Sequence, residues 1–96
     1  MVASMFTAAH DALVASVVRL LHRANMTQRE LAHALGREHN LIGRIETGQR
    51  RIDLIEWVSI CRACGADPES ETVRLIRSIT HVVPTRGRVA GKPKRK

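Results

Sequence analysis

Within GREHNLIGRIETGQRR, residues 36–51, His39, Asn40 and Arg44 share one short helical segment and carry planar hydrogen-bonding edges. An asparagine amide sets a donor beside an acceptor, which matches N6 and N7 of adenine. An arginine fork matches O6 and N7 of guanine, and each such pair discriminates against a wrong base by about 1–3 kcal/mol. Leu41 could lie against a thymine methyl, His39 can donate or accept according to its tautomer, and Gly43 holds no partner at a distance. Arg37, Arg50 and Arg51 flank this group and suit phosphate oxygens, which fix register without reading sequence. So short and polar a segment is a poor helix on its own. Ile42 and Ile45 must therefore be held from behind.

The elements that could hold them read as helices throughout. Leu13, Val17, Leu20, Leu21 and Ala24 recur on one face of a helix over 8–25, with Thr7 as its N-cap and Asn25 at its end. Thr27 and Glu30 have capping-box spacing and start a second helix, with Leu31, Ala32 and Leu35 inward and Gly36 as its stop. The third runs from about Glu38 to Thr47 and ends at Gly48. Asp53 and Glu56 open a fourth helix with the same box; Ile55, Trp57, Val58, Ile60, Cys61 and Cys64 form its apolar side, and Gly65 closes it. Asp67-Pro68 opens a fifth, which Pro84 ends. No stretch alternates with period two, so the expected class is all-α. A short second helix, a glycine turn and a short polar third helix make a helix-turn-helix spacing, in which one helix braces the other for the major groove.

Charge points the same way. The chain has 96 residues and a formal charge of +7, which invites an anionic partner. Six basic residues fall in 84–96 without an acid, leaving ten arginines against nine acids in 1–83. The expected organisation is a five-helix domain over 1–83 and a disordered basic tail over 84–96. The N-terminus has no basic segment ahead of an apolar run, and no window is long enough for a membrane span, so a cytoplasmic location with no membrane partner is expected.

The sequence resembles the lambda-repressor-like, or XRE-type, helix-turn-helix family. The resemblance rests on Thr27-Gln28-x-Glu30-Leu31-Ala32-x-x-Leu35-Gly36, on Ile42-Gly43-Arg44-Ile45-Glu46-Thr47-Gly48, on Gln49-Arg50-Arg51-Ile52-Asp53 and on Ala63-Cys64-Gly65-Ala66-Asp67-Pro68. It covers about residues 10 to 70 and implies a five-helix DNA-binding domain, usually dimeric, that acts on transcription. By position, Gln28 would hold a phosphate, His39 and Asn40 would meet base edges, Arg44 would read a base or phosphate one turn on, and Thr47, Arg50 and Arg51 would anchor the DNA backbone. The sequence departs from the family at three places. Glu38 replaces a common proline or threonine, Leu41 a threonine or tyrosine, and Leu21 an arginine that pairs with the residue matching Glu46. Arg23 and Arg29 are the candidates to take over that pairing.

Other chemistry is less well supported. Cys61 and Cys64 form a C-x-x-C, but zinc wants four ligands and a redox motif wants a strand-helix context, so core packing is expected. Neither a metal nor another cofactor is expected. The histidines do not cluster, and no catalytic constellation stands out, so the protein is not expected to be an enzyme. On the fifth helix Val73, Leu75, Ile76, Ile79, Val82 and Val83 span a wider arc than docking on one core requires. Val73, Ile76, Ile79 and Val83 are therefore the expected homodimer interface, deeper burial in one monomer being the alternative. The function expected is a sequence-specific regulator of transcription, a repressor by family analogy, that binds double-stranded DNA at an inverted repeat. The alternatives are an antitoxin of the same fold with a toxin as protein partner, and a redox or metal protein using Cys61 and Cys64.

Overall fold

The computed structural model describes the backbone of residues 4–83 and the side chains of residues 8–83. The basic stretch 84–96 lies outside the described residues. Among the described residues five α-helices follow one another: α1 Ser4–Ala24, α2 Gln28–Ala34, α3 Leu41–Glu46, α4 Leu54–Ala63 and α5 Pro68–Ile79. The described residues contain no strand.

The capping signals act as their spacing predicts. Thr27 Oγ1 accepts from the Glu30 amide at 3.0 Å, while Glu30 Oε1 accepts from the Thr27 amide at 2.8 Å. Asp53 and Glu56 form the same reciprocal pair at the start of α4. Asp67 accepts from the Ser70 amide at 3.0 Å ahead of Pro68.

Two reversals aim α3. Gly36 at φ +69 and Gly48 at φ +82 occupy the left-handed region, where a side chain would be strained. At the first, the amides of Gly36 and Arg37 return to the carbonyls of His33 and Ala32; at the second, those of Gly48 and Gln49 return to Ile45 and Arg44. These bonds satisfy carbonyls that a helix end leaves open.

Three helix boundaries differ from the sequence expectation. The backbone of α1 is helical from Ser4, so Thr7 lies inside the helix and not at its cap. Regular α3 begins at Leu41, because 38–41 form a separate turn in which the Leu41 amide donates to Glu38 O at 3.1 Å. Asn40, with φ −95 and ψ 9, is the N-cap, a position that suits asparagine better than a helix interior. Helix α5 ends at Ile79 and a turn continues to Val83. The β-branched run Ile79, Thr80, Val82, Val83 lowers helix propensity, and a residue before proline avoids helical backbone.

One core joins all five helices: Val17, Leu20 and Leu21 from α1, Leu31 and Ala32 from α2, Leu41, Ile42 and Ile45 from α3, Trp57, Ile60 and Cys61 from α4, and Leu75 from α5. Trp57 is buried and its indole N–H donates to Thr72 Oγ1 at 2.9 Å, linking α4 to α5. Cys61 is fully buried and Cys64 packs on the core, as expected for both; burial pushes the Cys61 thiol up to about 11. Ile55, in contrast, is 77% exposed and does not belong to the apolar side of α4. It stands two residues before Trp57, about 200° around the helix from the inward face.

Charge also braces the frame. Glu71 on α5 is buried and accepts from Arg19 Nη2 on α1 at 2.7 Å, with Arg23 Nη1 at 3.5 Å. No helix among the described residues is long and apolar enough to cross a membrane.

Candidate nucleic-acid interface

The side of α3 turned away from the core carries the polar residues. Leu41, Ile42 and Ile45 are 2%, 1% and 2% exposed, so one side of this six-residue helix is wholly committed to packing. His39, Asn40 and Arg44 are exposed on the chain's other side. Asn40 makes no side-chain capping bond although it holds the capping position, so its amide edge is uncommitted.

Leu41 does not face a base, contrary to the expectation from sequence: it is buried and its side chain fills the core beside Ile45, one turn on. The 41, 42, 45 spacing defines the inward stripe and leaves Leu41 no route to a groove.

Gly43 faces the α2 side of the motif, where a Cβ would meet Gln28 Oε1 at 3.9 Å, an ordinary contact. Gln28 Nε2 donates to Glu46 Oε2 at 3.0 Å. That bond gives Glu46 the partner that neither Arg23 nor Arg29 provides, since Arg23 turns to Glu71 and Leu21 is buried. From α1, His10 Nε2 lies 3.0 Å from Ile45 O, a hydrogen bond in the tautomer protonated at Nε2, and so supports the far end of α3.

The arginines gather around two carboxylates. Arg44 Nη1 lies 3.5 Å from Glu38 Oε2, and both side chains are exposed. A backbone hydrogen bond first, then the nearby charges of Arg37, Arg44 and Arg50, holds the Glu38 carboxyl below its ordinary range. Arg37 Nη1 donates to Glu56 Oε2 at 2.9 Å, and Arg50 grips the same carboxylate with Nη1 to Oε1 at 3.0 Å and Nη2 to Oε2. The Arg50 bonds are the main reason the Glu56 carboxyl falls to about 2; the Arg37 bond and the Asp53 amide add to it, against partial burial. Thr47 and Arg51 are exposed just beyond α3, with Thr47 Oγ1 donating to Arg44 O at 3.2 Å.

Thus the predicted residues His39, Asn40, Gly43 and Arg44 share α3 or the turn leading into it. Gln28, Arg37, Thr47, Arg50 and Arg51 border it, although Gln28, Arg37 and Arg50 also hold carboxylates of this chain. Sequence reasoning missed His10 and the second use of Glu56. The capping-box spacing gave Glu56 a local role, and nothing in the spacing gave it two arginines.

The helix-turn-helix domain family matches residues 13–75, more than half of the chain. Among solved structures, the chain is similar to an XRE-family like protein from Pseudomonas syringae pv. tomato str. DC3000, with 32% identity and a TM-score of 0.70 over 78% of this chain and 92% of that one. No curated protein sequence matches significantly. The chain belongs to the XRE-type helix-turn-helix family, and its fold is that family's DNA-binding domain.

Proposed function

We propose that this protein is a transcriptional repressor that reads an inverted repeat in double-stranded DNA as a homodimer. The turn at 38–40 and helix α3 enter the major groove, where His39, Asn40 and Arg44 meet base edges and Gly43 permits close approach. Gln28, Arg37, Thr47, Arg50 and Arg51 hold the phosphates. The single observation that carries this reading is the division of α3. Its apolar residues are buried completely, while the amide of Asn40 at its head is exposed and caps nothing.

Pairing of two copies is supported by α5 and the turn that follows it. Val73, Ile76 and Val83 are 48%, 53% and 43% exposed, more than scattered surface residues require, while Leu75 enters the core and Ile79 packs partly against it. A homodimer on an inverted repeat needs its two recognition helices about 34 Å apart, one turn of DNA. The six basic residues of 84–96 add further phosphate contacts in this reading. In this reading the protein acts in the cytoplasm.

A second reading, an antitoxin that also represses its own operon, has one observation in its favour. Leu54 and Ile55, on α4, are 67% and 77% exposed and offer an apolar surface outside the α5 patch. Co-purification of a partner protein with the untagged chain separates this reading from a free-standing repressor. Selection of duplexes from a random pool, followed by footprinting near the protein's own promoter, tests the main reading: one enriched palindromic sequence is expected, and no enrichment contradicts it.

A further inference from the structure

We propose that Glu56 is a positioning residue for DNA binding: one carboxylate sets the directions of Arg37 and Arg50, which precede and follow α3 in the chain and converge on it. The inference rests on the reading above in which these arginines meet phosphates.

Arg37 lies in the turn that leads into α3 and Arg50 in the loop that leaves it, yet both reach the same group on α4. Glu56 can serve as an anchor because it is itself fixed. Its Oε1 accepts from the Asp53 amide at 3.2 Å, its own amide donates to Asp53 at 2.7 Å, and the next residue, Trp57, is in the core. A guanidinium carries five N–H donors in a rigid fork. Arg50 gives one donor to Arg51 O and two to Glu56, and Arg37 gives one to Glu56, so each keeps donors for a second acceptor. The two side chains are 26% and 34% exposed, partly sheltered but still reachable from solvent. An arginine held in this way has surrendered its rotamer freedom before DNA arrives, which lowers the cost of ordering it on binding. The same carboxylate oxygen therefore gathers both guanidinium groups into one patch, so that neighbouring phosphates on one side of the groove meet donors already in place.

The sign of one measurement separates this role from its opposite. Glu56→Gln removes a negative charge beside the phosphates and keeps an acceptor for the Asp53 amide. If Glu56 merely competes with phosphate for the arginines, the variant binds DNA more tightly. If Glu56 positions them, binding weakens by about threefold to tenfold, the effect of ordering one or two long side chains. The full chain is titrated into a fluorescein-labelled duplex of random sequence across a series of salt concentrations, with circular dichroism to verify folding. Weaker binding by the folded variant supports the proposal, and equal or tighter binding overturns it. Should Glu56→Gln not fold, Arg50→Lys gives the decision: it keeps the charge and loses the two-pronged grip. The same several-fold weakening is expected, and an unchanged affinity overturns the proposal. Arg37→Ala and Arg50→Ala test the underlying reading separately. Each should make the slope of log K against log salt shallower by about 0.9 per phosphate lost. Unchanged slopes mean that these arginines never met phosphate. Shallower slopes combined with tighter binding by Glu56→Gln mean that only the positioning role has failed.

Discussion

Gln28 Nε2 donates to Glu46 Oε2 across 3.0 Å and so links the first residue of α2 to the last residue of α3. The bond closes the open side of the helix-turn-helix, opposite the Gly36 reversal. It also orients a side chain that the proposed function assigns to a phosphate. Glutamine has a second amide hydrogen, so the two roles are compatible.

Gln28→Ala should lower folding stability by about 0.5–1.5 kcal/mol, since the lost bond is exposed and has a charged acceptor. DNA affinity should fall by a similar factor on every duplex, because a phosphate contact carries no sequence information. Urea unfolding and fluorescence anisotropy on specific and random duplexes measure the two effects. A loss confined to one sequence would assign Gln28 to base reading.

Gly43→Ala separates the needs of the fold from those of the interface. A Cβ at Gly43 meets only Gln28 Oε1, at 3.9 Å, and alanine is favoured over glycine inside a helix. The variant should therefore be as stable as the parent or more so, by up to about 1 kcal/mol. Its DNA binding should weaken, because the added methyl meets the groove wall. Unaltered affinity in the stabilised variant would remove Gly43 from the interface.

Acid should act through Glu56. Its carboxyl titrates at about 2 in the fold against an ordinary 4.5, mainly through its bonds with Arg50 and then with Arg37. A depressed carboxylate pKa contributes stability that is complete above 4.5 and is lost as pH falls from there toward 2. After allowance for partial exposure, this contribution is on the order of 1–2 kcal/mol. The stability gap between the parent and Glu56→Gln should thus narrow between neutral pH and pH about 3, measured by urea midpoints. A gap that stays constant over that range contradicts the linkage.

The fold was largely legible because its signals are local. Thr27 with Glu30, Asp53 with Glu56, and Asp67 with Pro68 each mark a helix start within four residues, and Gly36 and Gly48 mark stops. What could not be read depended on how helices pack. Leu41 looked available on a polar segment, yet the crossing of α3 over the core turned it inward with Ile45. Ile55 looked buried by type, yet it lies on the far side of α4 from Trp57. The partners of the arginines were hidden for the same reason. Arg37 and Glu56 are nineteen positions apart, and only the folded chain brings them within 2.9 Å.

The apolar face of α5 gives a prediction about assembly. Ile76→Asp places a charge where a second copy would bury it, which is costly without a partner. In the single chain Ile76 is 53% exposed, so the folded monomer should tolerate the change. Light scattering should show the parent as a dimer and the variant as a monomer with weakened DNA binding. An unchanged dimer would move the interface to another surface.

The central claim is that the turn at 38–40 and α3 read DNA sequence. The most direct measurement takes the duplex that the parent protein enriches from a random pool and compares it with a scrambled duplex for the parent, Asn40→Ala and Arg44→Ala. The account predicts that each variant loses about 1–3 kcal/mol on the enriched duplex and much less on the scrambled one. Equal losses on the two duplexes, or no loss on either, would contradict it.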